Sequence, residues 1–219
     1  MEEILAKLDA DYRRIVGDYV IEHSYGYIPV SFHGCQIMDE FIATWVDLAG
    51  VIATTSSDTV TFLEVGAYKG LWALMFKHIC EYYEKKPHYA TVTWLSQDSN
   101  NHPLPKVKAY YEELGYRFDL VDGNSVDEAT KTQLLITTGL DKFNIVFIDA
   151  DHRYEYVIED IKLYSNLASD VLFFHDIKPR IKNQHCGVYQ AVKDSNISLD
   201  VEHTTNDHIM GLGLKFINK

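Results

Sequence analysis

The chain has 219 residues, 47% of them hydrophobic and 24% charged, with a formal net charge of -12. That length suits one domain, and that composition excludes a disordered or low-complexity chain. The acidic balance repels phosphates and disfavours a nucleic acid partner, and no apolar run approaches the ~18 residues that a membrane span needs.

The opening stretch, MEEILAKLDADYRR, is charged and amphipathic rather than signal-like, with Leu5, Leu8, Tyr12, Ile15 and Tyr19 at helical spacing. A loop rich in Gly, Tyr and His follows over Ser24–Gly34, and a second helical face runs from Ile37 to Ala49. Together, residues 1–57 read as a helical extension or lid on a domain spanning 58–219. From there strands and helices alternate. Thr59–Val65, Tyr89–Leu95, Arg117–Val121, Phe143–Ile148 and Val171–Phe174 have the apolar, β-branched character of buried strands. Between them lie helical faces at Leu71–Tyr82, Val107–Leu114, Val126–Thr137 and Val157–Ala168. A helix near Val188–Asp194 and two short β runs, Leu199–His203 and Gly211–Ile217, close the chain. Strict alternation implies an α/β fold, a doubly wound and mostly parallel sheet with crossover helices on both faces and a C-terminal antiparallel pair. Ligands in such sheets bind beyond the carboxyl ends of the strands. Cys35, Cys80 and Cys186 form no C-x-x-C pair and read as reduced thiols of a cytoplasmic protein.

Three strand ends carry chemistry. After the first strand stands Glu64-Val-Gly66-Ala67-Tyr-Lys-Gly70. The glycines let the backbone turn and approach a ligand, but the spacing is not G-x-G-x-x-G. A carboxylate here would repel a pyrophosphate and suit a ligand bearing an ammonium and a sulfonium, an attraction of a few kcal/mol at about 4 Å. After the fourth strand comes F-I-D-A-D-H-R-Y-E-Y-V-I-E-D, from Phe147 to Asp160. The fifth ends in Phe174-His175-Asp176. Charged groups at the ends of apolar strands cost desolvation unless they are paired, metal-bound or used. Adjacent strands would bring Asp149, His175 and Asp176 together as a divalent cation site.

These motifs, in this order, with Gly123-Asn124-Ser125 after the third strand and Gly187-Val188 later, resemble class I methyltransferases that depend on S-adenosylmethionine. The similarity covers roughly Val60 to the C-terminus. It is greatest to the small-molecule group reading F-I-D-G-D-H-S-Y at the fourth strand and H-D at the fifth. The resemblance implies a Rossmann-like domain with S-adenosylmethionine as cofactor. Glu64, Gly66, Ala67 and Gly70 would lie at its methionine end, and Gly123, Asn124 and Ser125 at its adenine. Asp149 would lie under the reacting methyl. An acid after the second strand would hold the ribose; Asp98 is the candidate and Ser96 its rival. By analogy with catechol-type enzymes, Asp149, His152 and His175 would be catalytic, a histidine taking the acceptor's proton. Asp149, His175 and Asp176 would hold Mg2+ or another divalent cation.

The implied reaction is O-methylation of a sugar or another small hydroxylated molecule. No membrane partner is expected, and a homo-oligomer is compatible with the sequence. Tyr25, Tyr27 and His33 are candidates for acceptor contact. Two alternatives stay open: a non-catalytic S-adenosylmethionine-binding protein, and a metal-dependent hydroxylase-like relative on the same fold. An NAD-dependent oxidoreductase is disfavoured by the glycine spacing. A nucleic acid methyltransferase is disfavoured by charge and by the lack of an N-P-P-Y-type tetrapeptide.

Overall fold

The structure is a computed structural model, and it describes residues 7–8, 10–11, 14–15, 37–95, 103–178, 180–181, 184–185, 187–203 and 211–217. Asp98, Ser96, Tyr25, Tyr27, His33, Cys35 and Cys186 lie outside these residues. Helix α1 (Ile37–Thr54) leads into β1 (Thr59–Val65), α2 (Leu71–Tyr82), β2 (Lys86–Thr93), α3 (Leu104–Glu113), β3 (Arg117–Asp122) and α4 (Glu128–Thr138). Then come β4 (Phe143–Ile148), α5 (Tyr154–Tyr164), a 3-10 turn (Ser165–Leu167) and β5 (Ala168–His175). A short hairpin of β6 (Arg180–Ile181) and β7 (Gln184–His185) precedes α6 (Gly187–Asp194), β8 (Val201–His203) and β9 (Leu212–Phe216).

The seven-stranded sheet has the order β3-β2-β1-β4-β5-β9-β8. β1 to β5 pair in parallel, while β9 runs antiparallel to both β5 and β8. This is the doubly wound sheet with a closing antiparallel pair expected from the alternation. Strand order reverses between β1 and β4, which opens a crevice at their carboxyl ends.

The strands are buried on both faces, and alternate residues enter different cores. Val60, Phe62, Tyr89, Ile145, Phe147, Val171 and Phe173 join residues of α1, α2 and α3 on one face. Leu63, Val65, Ala90, Val146, Ile148, Leu172 and Phe174 join residues of α4, α5 and α6 on the other. This period of two is the geometry of a pleated strand covered on both sides. Leu48 and Ile52 of α1 lie in the first core, so α1 is built into the body of the fold.

Several boundaries differ from the sequence expectation: β5 begins at Ala168, where the helical face was expected to end, and β2 differs at both ends. β2 begins at Lys86 and ends at Thr93, so Trp94 and Leu95 fall beyond the strand. The polar Lys-Pro-His start hid the first half of this strand, although Pro87 and His88 are buried there. The β6–β7 hairpin has no apolar periodicity and was not anticipated.

Candidate functional site

The parallel ladders continue past the strand ends and draw the loops together. Gly66 N donates to Val92 O at 2.8 Å, Asp149 N to Val65 O at 2.9 Å, and Gly123 N to Thr93 O at 3.0 Å. Gly66 has φ +99°, and a Cβ there would sit 2.3 Å from Ala150 Cα and 2.4 Å from Asp149 O. Only glycine allows the β1 and β4 loops to approach this closely. A second close approach joins α6 to α5: a Cβ on Gly187 would meet Tyr154 N at 2.2 Å. Gly187 N also donates to His152 O at 3.0 Å.

The crevice holds a cavity of about 610 Å³. Gly66, Gly123, Asn124, Ser125, Asp149, His152 and His175, all singled out by the sequence, line it. Thr93, Trp94, Arg153 and Tyr156 also line it, as does Tyr68. These were missed, although Trp94 directly follows β2, and Tyr68, Arg153 and Tyr156 stand within the motifs that follow β1 and β4. Another cavity, of about 630 Å³, opens at the opposite end of the sheet beside Asp47, Asn144 and Asp170. It contains none of the strand-end motifs.

Glu64, Ala67 and Gly70 do not line the cavity. Glu64 is only 2% exposed and accepts a hydrogen bond from the Tyr89 hydroxyl. Burial pushes its carboxyl well up, Asp149 adds to the rise and His175 opposes it. Glu64 thus stands behind the glycine loop, with Tyr89 as the partner that the sequence did not reveal. Thr93 Oγ1 ties the same loop to β2 by donating to Ala67 O at 3.0 Å.

The β4 and β5 ends converge. His175 Nδ1 lies 3.0 Å from Asp149 Oδ1 and 3.1 Å from Asp176 Oδ1. The His175 ring meets Trp72 and Phe147 edge-on, at centroid separations of 6.1 and 6.0 Å. His152 Nδ1 lies 2.8 Å from Asp176 Oδ2, and its Nε2 lies 3.6 Å from Asp149 Oδ1. Burial alone would raise the Asp149 carboxyl, but His175 and His152 overcome it and hold the pKa at about 2. For His152, burial disfavours the cation, yet hydrogen bonds to Asp149 and Asp176 raise it to about 10. His152 is therefore an imidazolium at neutral pH, a proton donor rather than the ready base that its ordinary pKa suggests.

Asp149, His152 and His175 each offer a ligand atom within 4.8 Å of the others, the one such group among the described residues. Asp176, the remaining expected ligand, is fully buried, its Oδ2 2.8 Å from His152 Nδ1 and its Oδ1 3.1 Å from His175 Nδ1. Arg153 at the cavity wall pairs with Asp151 at 2.6 Å, its guanidinium 4.0 Å above the Tyr156 ring.

A family profile described as a methyltransferase domain (Methyltransf_24) matches residues 63–177, just over half of the chain. The chain belongs to this family of class I, S-adenosylmethionine-dependent methyltransferases. The matched span of the methyltransferase runs from β1 through both converging strand ends. No curated protein sequence is detectably similar to it. Among solved structures it is similar to a cofactor-bound protein from MTB, Rv0187, at 19% identity and TM-score 0.57, over 97% of this chain and 88% of that one. It is similar to an O-methyltransferase from Bacillus cereus in complex with SAH, at 11% identity and TM-score 0.62, over 97% and 91% of the two chains. A third is CalS11, a TDP-rhamnose 3'-O-methyltransferase of calicheamicin biosynthesis, at 9% identity and TM-score 0.61, over 98% and 94%. At these identities the likeness establishes a shared fold. No described helix of the methyltransferase is long and apolar enough to cross a membrane.

Proposed function

We propose that this methyltransferase acts on a hydroxyl of a sugar or another small hydroxylated molecule. The observation that carries the reading is the gathering of Asp149, His152, His175 and Asp176 beside a glycine-bordered cavity at the sheet's switch point. The cavity fits the cofactor on three counts. Its size lies within the range of small-molecule sites. Gly66 leaves backbone exposed to a ligand, and the acidic border of Asp149 and Asp151 suits a sulfonium. Gly66 would border the methionine end, with Glu64, Ala67 and Gly70 supporting it from behind. Gly123, Asn124 and Ser125 would hold the adenine, and Asp98 or Ser96 the ribose.

S-adenosylmethionine supplies an electrophilic methyl on a good leaving group. The protein's task is to hold the acceptor oxygen in line with that carbon and to remove the hydroxyl proton. His175, paired with Asp149, is the group proposed to receive it. His152, already charged, offers positive potential at the developing alkoxide. Residues 1–57 are proposed as the extension that shapes the acceptor side.

The donor set also fits a cation. Two imidazoles and one carboxylate suit Mn2+, Fe2+, Ni2+ or Zn2+ better than Mg2+, which prefers oxygen. Such an ion at Asp149, His152 and His175 would acidify the acceptor hydroxyl. The same two-histidine, one-carboxylate set favours a second reading, metal-dependent hydroxylation on this fold. Incubation with labelled S-adenosylmethionine, a panel of glycosides and phenols, and each cation in turn tests both. Label transfer to a hydroxyl supports methylation, whereas oxygen uptake without label transfer supports hydroxylation and overturns it.

A further inference from the structure

Trp72 is the second residue of α2, just after Gly70 ends the β1 loop with φ 77°. It is partly buried and stands outside the cavity lining, and the proposed reaction gives it no role. Its ring nevertheless reaches the ends of β4 and β5. The indole centroid lies 5.5 Å from the Phe147 ring and 6.1 Å from the His175 ring, at interplanar angles of 79° and 66°. Phe147 and His175 close the triangle at 6.0 Å and 88°. All three pairs are edge-on, an arrangement that ring quadrupoles favour.

The three corners differ in freedom. Phe147 is 1% exposed, and Phe62 and Phe173 pack on it at 6.3 and 6.0 Å, so the core locks it. His175 is held electrostatically at one atom. Its Nδ1 lies 3.0 Å from Asp149 Oδ1 and 3.1 Å from Asp176 Oδ1. Attraction through one atom depends on distance and leaves the plane of the ring open. Two rings set against the imidazole at an angle remove that freedom. Any swing of His175 must displace Phe147, which the core holds, or Trp72, which comes from a separate helix.

We propose that Trp72 is a positioning residue for the proton acceptor: it holds the plane of the His175 ring so that Nε2 faces the acceptor hydroxyl while Nδ1 faces the carboxylates. The inference rests on the role given to His175 above. Nδ1 keeps its proton beside two carboxylates, which leaves the lone pair on Nε2. As the acceptor O–H bond breaks, its proton passes to Nε2. The oxygen forms its bond to the methyl carbon, and the electrons of the C–S bond stay with sulfur. Trp72 takes no part in these bond changes. It narrows the range of directions in which Nε2 points, and so acts on the rate of the step rather than on binding.

Trp72→Ala, Trp72→Leu and Trp72→Phe, each in the full chain, test this. Label transfer from S-adenosylmethionine is followed with the panel hydroxyl that accepts it. Trp72→Ala should lower kcat by about 10–100-fold, the scale set by misplacing a reacting group by about 1 Å. The KM for S-adenosylmethionine should stay at the wild-type value. Trp72→Leu, which fills space without a ring and serves if Trp72→Ala unfolds, should match the alanine variant, and Trp72→Phe should recover most of the rate. Recovery by leucine equal to that by phenylalanine, or a loss confined to KM, overturns the proposal. NMR relaxation of the 13C-labelled His175 ring decides the matter without an acceptor. The ring should be rigid in wild type and Trp72→Phe, and mobile in the other two. A ring equally rigid in all four proteins overturns the role of Trp72 and leaves the methyltransferase reading intact. A ring that loosens with no loss of transfer overturns the role of His175 on which the inference rests.

Discussion

His152 Nδ1 lies 2.8 Å from Asp176 Oδ2, which fastens a partly exposed imidazole to a carboxylate that solvent does not reach. Asp176 adopts φ 58°, the left-handed region that non-glycine residues seldom occupy. Such a conformation costs on the order of 1 kcal/mol and persists only where the surroundings enforce it. Here it turns the chain after β5 so that the carboxylate faces back toward the β4 loop. With Asp176→Asn, the His152 pKa should fall from about 10 toward its ordinary value, read by NMR titration of the ring. Methyl transfer should fall by about 10–100-fold, the usual effect of losing a carboxylate that orients a functional imidazole. An unchanged ring titration would contradict the pairing.

Asp149 is the junction of the cluster, in contact with both His152 and His175. Asp149→Ala should reduce transfer by about 100-fold or more, since it removes the partner of the proposed proton acceptor. The fold should survive, because the residue sits at a loop rather than in either core. Product formation and far-UV circular dichroism check the two halves of this expectation. Full transfer by the variant would refute the site.

Uptake of a cation by Asp149, His152 and His175 must displace the proton that His152 carries at neutral pH. Affinity for Mn2+ or Zn2+ should therefore increase with pH, and binding should release a proton, measurable as a buffer-dependent heat in calorimetry. A cation that binds equally well at pH 6 and pH 8 would have to sit elsewhere.

The strand-end motifs were legible because charge at the end of an apolar run is conspicuous in one dimension. Asp149, His175 and Asp176 could be placed side by side once β4 and β5 were taken as neighbours. The roles of individual atoms were not legible. Where the Asp176 carboxylate points depends on a left-handed φ that Asp does not announce. The hydrogen bond from Tyr89 to Glu64 was not legible, because nothing in the sequence links two residues 25 positions apart. Trp94 and Tyr68 at the cavity mouth were hidden for the opposite reason. Exposed aromatics carry no periodicity, and Trp94 was counted as part of β2.

Asp160, a fully buried carboxyl on α5, should govern how stability varies with pH. Its folded-state pKa of about 7 lies above the ordinary 3.8, so the native state binds the proton more tightly than the unfolded chain does. Its contribution is fully present below about pH 4 and is lost as pH rises through about 7, by on the order of a few kcal/mol. Asp160→Asn carries no charge to desolvate. It should be more stable than wild type at pH 8 and close to it at pH 5, as read by urea unfolding at the two values. A variant equally destabilised at both would contradict a cost of burying this charge.

The whole reading comes down to whether a sulfonium donor occupies the crevice between β1 and β4. Calorimetry of S-adenosylmethionine against wild type and Gly66→Ala tests it directly, since a methyl at Gly66 must push the Ala150 backbone away. One-site binding by wild type, lost or greatly weakened in a still-folded Gly66→Ala, is the expected result. No binding by wild type, or equal binding by the two proteins, would contradict it.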